Sequence, residues 1–366
     1  MKIECVKEKL GLALAKADRI TGKKLTLPIL SCILLEAKNN TLFIRATNLD
    51  LGIELSIPVK VEKEGVVVIP NSVLTRFISS TQGEKNIKIE ALEGVISVST
   101  GSSKASIKTF AKEDFPTIPQ VSDTKTIKIE SRDIVLGLRS VWYSASTSSM
   151  KPELSSIFVY SDNNELIFVA TDSFRLAEKK VSTKKKIDIA PILIPFKNSI
   201  DIIKVLEEES GEITIVSTKN QISFMSQGMY LVSRVVDGAF PDYKQIVPKE
   251  FTTEVVVLKQ DLLNIFKIST IFSDTFNQIN IKALPKEKKI QIQTKNSEVG
   301  ENSNNLDAAL NGEDVDINFN YKYINDCFQS ITTDSVSLAF NGPTKPLVIR
   351  GVGDRTFMYL VMPMNR

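Results

Sequence analysis

The sequence predicts an α+β fold made of three copies of one domain, each with two helices packed against antiparallel sheet. Three observations carry this. Unrelated landmarks recur at one period: Ile69-Pro70 stands 125 residues before Ile194-Pro195, Ile194 stands 125 before Phe319, and Phe115-Pro116 stands 125 before Phe240-Pro241. Ala46-Thr47-Asn48 and Ala170-Thr171-Asp172 lie 124 apart, and Thr294 follows Thr171 by 123. Internal self-similarity at a fixed spacing marks a duplicated structural unit. Within each period, helical spacing appears twice, and the residues between follow the two-residue alternation of half-buried strands.

The elements follow in order. The first helix of each copy falls at 6–20, 132–146 and 259–273. In the first of these, Val6, Leu10, Ala13, Ala17 and Ile20 share one face, and Gly22 stands past the last turn. The second helices fall at 72–81, 197–208 and 321–330. Pro70 and Pro195 sit just ahead of a helix start, where a missing N–H costs little. Ile87-Lys88-Ile89-Glu90, Ile213-Thr214-Ile215-Val216 and Ile290-Gln291-Ile292-Gln293 alternate as strands. Such strands with two helices per copy suit antiparallel sheet covered on one face. Proline stiffens the stretches beginning at Phe115 and Phe240, where copies should join. Domains are expected at 1–121, 122–246 and 247–366. The polar run 296–305 reads as a mobile loop.

Composition narrows function. A formal net charge of +3 gives no strong global field, so any nucleic-acid contact must come from segregated charge. The chain has no histidine, which removes the commonest general base and metal ligand. Neither a cofactor nor a metal is expected. Cys5, Cys32 and Cys327 are odd in number and far apart, which reads as reduced, mostly buried thiols in a cytoplasm. Charges interrupt the N-terminus where a signal sequence would need an apolar run, and the most apolar stretch, 189–196, is short and holds two prolines. No membrane association is expected.

Basic residues recur about two turns apart on the expected helices: Lys9 and Lys16, Arg132 and Arg139, Lys197 and Lys204, Lys259 and Lys267. On one helix this is ordinary solvated surface. In equivalent places of three copies it suggests a stripe that meets a phosphate backbone, and Lys23-Lys24 adds to it. Ala170-Thr171-Asp172-Ser173-Phe174-Arg175-Leu176-Ala177 reads as strand, polar turn and strand. The ending Leu360-Val361-Met362-Pro363-Met364 stays apolar almost to the terminus, as a closing strand, an adaptable binding surface, or both. Phosphate-loop, zinc and nucleophile-elbow motifs are absent. Two S-x-x-K strings, Ser148 with Lys151 and Ser182 with Lys185, lack the S-D-N and K-T-G partners of serine acyl enzymes.

With Leu27-Pro28-Ile29-Leu30, the 170–177 segment, Val236-Asp237-Gly238-Ala239-Phe240-Pro241-Asp242-Tyr243 and Val361-Met362-Pro363-Met364, the whole chain resembles the bacterial DNA polymerase III β-subunit family, the sliding clamps. The resemblance implies a head-to-tail ring of two three-domain chains, the DNA clamp fold of six similar domains. It implies no catalysis. The ring would enclose double-stranded DNA without regard to sequence and act as processivity factor. Its partners would be the polymerase III catalytic subunit, the clamp loader, and repair polymerases, mismatch-repair proteins and ligase.

Partners of that family dock a short peptide, a Gln followed by Leu and Phe, between the second and third domains. Carried over, the cleft comprises Leu154, Thr171, Ser173, Phe174, Arg175, Leu176, Pro241, Ile246, Asn320, Tyr323, Pro346, Met362, Pro363 and Met364. Leu176, Pro241, Ile246, Met362 and Met364 would form its floor, and Arg175 and Asn320 its polar anchors. Exchangeable docking of about micromolar strength corresponds to about −8 kcal/mol. The family usually has Gly then His or Tyr where Ser173 and Phe174 stand, and many members end Met-Pro-Met-Arg-Leu where this chain ends with Asn365-Arg366. Lys24, Arg132, Arg139, Lys151, Lys197 and Lys204 would face DNA. Ile271 and Phe272 would meet the Ile107 region of a second copy; burial in their own domain is the other reading. The alternatives of different class are a serine hydrolase using Ser148 and Lys151, and a repeat scaffold that binds peptides without forming a ring.

Overall fold

The computed structural model describes residues 1–22, 27–81, 83, 85–122, 126–183 and 187–364. Its elements repeat three times. The first copy runs β1 (Lys2–Val6), α1 (Lys7–Ile20), β2 (Cys32–Lys38), β3 (Thr41–Thr47), β4 (Leu51–Pro58), β5 (Lys60–Lys63), β6 (Gly65–Pro70), α2 (Asn71–Ser80), β7 (Asn86–Leu92), β8 (Val95–Ser99) and β9 (Lys104–Lys108). The second runs β10 (Ile127–Glu130), α3 (Ser131–Val141), β11 (Ser156–Asp162), β12 (Glu165–Thr171), β13 (Arg175–Ser182), β14 (Ile192–Pro195), α4 (Phe196–Leu206), β15 (Glu212–Ser217), β16 (Gln221–Ser226) and β17 (Met229–Arg234). The third runs β18 (Thr253–Leu258), α5 (Lys259–Ser269), β19 (Gln278–Leu284), β20 (Lys289–Asn296), β21 (Gly300–Asp307), β22 (Ala309–Gly312), β23 (Val315–Asn320), α6 (Tyr321–Cys327), β24 (Ser335–Phe340), β25 (Leu347–Gly351) and β26 (Phe357–Val361).

The repetition reaches individual hydrogen bonds. Phe110 N donates to Val68 O, Val236 N to Leu193 O and Met364 N to Asn318 O, each at 2.8 Å. The three acceptors are 125 residues apart. The residue opening the first helix of each copy also caps the end of the second: Lys7 Nζ donates to Thr81 O, Ser131 Oγ to Leu206 O and Lys259 Nζ to Ile331 O. Carbonyls at a helix end lack the partner that the next turn would give, and these side chains supply one; Leu206 O also accepts from Glu209 N at 3.1 Å.

The chain divides into two compact units, and the division passes through the second copy. One unit, 1–135 with 197–235, holds a sheet ordered β5-β1-β7-β8-β9 and another ordered β10-β15-β16-β17-β4-β3-β2-β6. Here the last strand of the second copy pairs with the fourth strand of the first, Leu231 facing Ile53. Helix α1 turns Leu10, Ala13, Leu14, Ala17 and Ile20 inward and packs on α2, β3 and β4. The other unit, 136–196 with 236–366, holds sheets ordered β14-β11-β12-β13-β26-β25-β24-β18-β22 and β21-β20-β19-β23. The same join recurs there, with Tyr359 of β26 facing Ala177 of β13. Gly137 of α3 lies against Phe168: a Cβ would stand 2.1 Å from that ring, so only glycine allows this approach.

Three expectations are corrected. The run 296–305 is no loop, because Gly300–Asp307 pairs along its length with β20. Its polar side chains alternate between exposed and half-buried, and the main-chain ladder holds it. The helices expected at 132–146, 259–273 and 321–330 stop early and tighten into single 3₁₀ turns at Trp142–Ser144, Thr270–Phe272 and Phe328–Ser330. Of the basic stripe, Lys16 pairs with Glu209 at a half-buried site and Lys259 is committed to its own fold. Cys5, Cys32 and Cys327 are buried and unpaired. Among the described residues no helix is long and apolar enough to cross a membrane.

Candidate functional site

The hairpin joining β12 to β13 owes its shape to two side chains. Thr171 Oγ1 donates to Arg175 O at 2.6 Å and accepts from Ser173 N at 3.2 Å. Asp172 Oδ1 accepts from Phe174 N and Arg175 N at 2.9 and 3.0 Å. Such side-chain bonds replace backbone partners in a tight turn. The hairpin from β3 to β4 repeats them: Thr47 Oγ1 donates to Leu51 O and accepts from Leu49 N, and Asn48 Oδ1 accepts from Asp50 N and Leu51 N. The recurring Ala-Thr-Asn and Ala-Thr-Asp strings are therefore turn chemistry.

Both turns need one residue at positive φ, Leu49 at 76° and Ser173 at 79°. A non-glycine residue there is strained by about 1–2 kcal/mol. Glycine relieves this but adds about 0.4–1 kcal/mol of freedom to the unfolded chain. Ser173 is exposed. Ser173→Gly is expected to stabilise its unit by about 0.5–1 kcal/mol. Calorimetry checks this, and a lowered melting temperature would show that the serine side chain contributes more than the strain costs.

Every residue of the expected cleft lies in the second unit. Leu176 faces Leu360 across the β13–β26 ladder, and both belong to a buried cluster with Ile167, Val169, Tyr243, Ala339, Val348 and Met358. Leu176 is 1% exposed, so it underlies the surface instead of lining it. Tyr243, missed in the sequence, anchors the Pro241 segment: its hydroxyl donates to Glu178 and shares a 2.8 Å bond with Tyr160. Burial, then Glu178, raises its pKa, so the phenol keeps its proton. Pro241 and Ile246 are exposed on either side of it. Past Val361 the chain stays tethered, Met362 N to Phe174 O and Met364 N to Asn318 O, with Met362, Pro363 and Met364 half-buried. Pro346 is buried just before β25, whose Leu347 faces Val361. Leu154 is buried, and its backbone closes the turn after α3 through Lys151 O and Ser146 N.

The two expected polar anchors are engaged within the protein. Arg175 Nε donates to Asp172 at 2.9 Å, a second guanidinium nitrogen donates to Asp326 at 2.5 Å, and the group lies 4.6 Å from the centre of the Tyr323 ring. Burial opposes this cation, but Tyr359, Asp172 and Asp326 outweigh it and raise its pKa. Asn320 caps α6 by accepting from Lys322 N, and its amide donates to Phe276 O. Phe174 is 61% exposed and stacks on Tyr323, ring centres 6.5 Å apart. Asp326 was missed in the sequence, although it stands one helical turn from Tyr323 and could have been found from that spacing.

The other expected residues fall elsewhere. Arg132, Arg139, Lys151, Lys197 and Lys204 are exposed; Lys24 lies outside the described residues, as do Lys23, Lys185, Asn365 and Arg366. Ile271 is 65% exposed and Phe272 half-exposed in the turn after α5, which removes the reading that Ile271 is core; Ile107 is 4% exposed. Ser148 and Lys151 stand in an exposed turn.

Comparison with known proteins gives a consistent picture. Family models described as the N-terminal, central and C-terminal domains of the DNA polymerase III beta subunit match residues 1–119, 129–242 and 244–365. A beta sliding clamp of Synechococcus elongatus is 25% identical over 372 residues, covering 100% of this chain and 99% of the relative. The DNA polymerase III beta subunit of Thermotoga maritima superposes with a TM-score of 0.94 at 25% identity, covering 100% of this chain and 99% of that one. A DNA polymerase sliding clamp from Bacillus subtilis gives 0.94 at 24% identity, with the same coverage.

Proposed function

The chain belongs to the DNA polymerase III beta-subunit family and is a sliding clamp, a processivity factor without catalysis; from that premise we propose how it closes, what it encircles and where partners dock. Domain junctions are placed after residues 121 and 246. The serine-hydrolase alternative has no support in this family.

One observation carries the ring. Fourth strands of two copies, β4 and β13, are paired by last strands β17 and β26. The equivalent fourth strand β21 and last strand β9 each end a sheet with one flank unpaired among the described residues. The bonds from Thr109 N to Gly94 O and from Ala308 N to Lys288 O set the two alternations. Main-chain groups of Lys104, Ser106 and Lys108 then point outward on β9, and those of Glu301, Ser303, Asn305 and Asp307 on β21. Carrying the Gly52–Val232 register through the repeats sets Ser106 opposite Glu301 of a second copy. The basic edge meets the acidic edge, and two such contacts close a head-to-tail dimer.

Such a ring holds duplex DNA by topology, so contacts to phosphate suffice and none need read bases. Lys24, Arg132, Arg139, Lys151, Lys197 and Lys204 supply them. The polymerase III catalytic subunit, the clamp loader, repair polymerases, mismatch-repair proteins and ligase dock in turn at the cleft of the second unit. Cytoplasm, where buried thiols stay reduced, is its setting. With its loader present, the chain is expected to stay on nicked circular duplex and to leave once the circle is cut. Each lost phosphate contact lowers the salt slope of DNA binding by about 0.9. Equal retention on circular and linear DNA, or preference for one duplex sequence, would refute the topological hold.

A further inference from the structure

We propose that the first unit carries a second docking site, a cleft at the β3–β4 hairpin that takes an extended peptide presenting an acidic and a basic side chain two residues apart. It is the counterpart of the cleft in the second unit but has different chemistry, and it stands whether or not that cleft docks partners.

The equivalence rests on register. Leu231 faces Ile53 and Tyr359 faces Ala177, and Ile53 stands 124 residues before Ala177. Arg234 therefore takes the place of Met362, and Asp50 that of Phe174. The tethering bond recurs: Arg234 N donates to Asp50 O at 2.9 Å, as Met362 N does to Phe174 O at 2.8 Å. The wall supplied by the linker is rebuilt as well. Tyr230 Oη donates to Pro119 O at 2.9 Å and accepts from Val121 N at 2.8 Å, which fixes that stretch beside the sheet. Between hairpin, linker and β17 lies a cavity of about 390 Å³, lined by Leu49, Asp50, Pro119, Gln221, Val232 and Arg234 among others.

Two apolar side chains of the other cleft are thus charges in this one. Arg234 and Asp50 are exposed, and among the described residues no hydrogen bond or ion pair engages the guanidinium or the carboxylate. In the second unit, by contrast, Arg175 is already held by two carboxylates. Exposed opposite charges standing side by side gain little from meeting each other in water, so a ligand has little to displace. A polyanion is a poor occupant, because Asp50 repels phosphate brought to Arg234. An extended peptide suits the site. Its side chains at i and i+2 point the same way, about 7 Å apart, so a glutamate can meet Arg234 while a lysine meets Asp50. Leu49, 48% exposed, offers apolar surface to the stems of those long side chains.

The test uses a blocked Glu-Val-Lys peptide and saturation-transfer NMR, which reads millimolar binding, on the full chain and its Arg234→Ala and Asp50→Ala variants. Both variants are altered at exposed sites, and circular dichroism shows that they remain folded. On the native chain, replacing the peptide's Glu with Gln, or its Lys with norleucine, is expected to weaken binding about two- to fivefold. The first change is expected to be silent on Arg234→Ala and the second on Asp50→Ala, because each removes a partner already lost. No saturation transfer from the native chain, or equal losses on native chain and variants, overturns the site. Excess Gln-Leu-Phe peptide is expected to leave Glu-Val-Lys bound; displacement would put it in the cleft of the second unit and overturn the proposal. Should Gln-Leu-Phe itself fail to bind, the cleft reading of the second unit falls, and retained Glu-Val-Lys binding still supports the site in the first.

Discussion

A chain carrying Ile271→Ala and Phe272→Lys is expected to run as a folded monomer where the native chain runs as a dimer. Ile271 and Phe272 occupy the single 3₁₀ turn after α5, a turn with no buried residue. Neither is part of the buried core, so the substitutions leave it intact. Ile271, 65% exposed, is apolar surface that a second copy would cover. The lysine adds a charge that must lose its water in the contact. Losing a central apolar anchor costs about 2–4 kcal/mol at an interface. A two-chain ring has two identical interfaces, so about 4–8 kcal/mol is lost, or roughly a thousandfold to a millionfold in dissociation constant. Size exclusion with light scattering gives the mass, and circular dichroism reports folding. A dimer of native mass would remove these residues from the contact; an unfolded chain would place them in the core after all. Ser106→Pro tests the strand pairing separately, since its N–H points away from β8 and proline is tolerated at such an edge.

What the sequence disclosed about this fold depends on how local each cause is. Thr171 and Asp172 were legible because a turn demands them within four residues, and the demand recurs at Thr47 and Asn48. Helix α1 was legible because its buried residues follow one period. Strand β21 was hidden because main-chain bonds hold it, and its side chains carry no apolar alternation. The joining of β13 to β26 was hidden for another reason: Ala177 and Tyr359 pair across most of two repeats, and neither strand names its partner. The repeat placed the second and third copies next to each other, but gave no hint that sheets run through the junction. Arg175 shows the same limit at the site. Its charge suggested an anchor for a ligand, but Asp326, 151 residues away, already engages it.

Removal of 362–366 is expected to abolish peptide binding at micromolar concentration and to spare the dimer. Strand β26 ends at Val361, which is fully buried and paired with both Arg175 and Leu347, so the sheet is complete before the deletion begins. The deleted stretch gives up two described main-chain bonds, Met362 N to Phe174 O and Met364 N to Asn318 O. Both are at the unit's surface, where water can replace the lost donors at a net cost of about 0.5–1.5 kcal/mol each. The unit therefore stays folded, somewhat less stable. The cleft fares worse. Met362 and Met364 are its two unbranched, adaptable side chains, and the bond from Met362 steadies the hairpin that carries Phe174. Losing an apolar wall of this kind costs a peptide about 2–4 kcal/mol, roughly thirtyfold to a thousandfold, which weakens micromolar docking to about 30 μM–1 mM. The β9 and β21 edges are untouched, so the mass of the truncated chain remains that of a dimer. Titration calorimetry with the Gln-Leu-Phe peptide measures the loss, and circular dichroism separates it from unfolding. A folded, dimeric truncation that binds the peptide at native affinity would move the docking site away from the C-terminal segment.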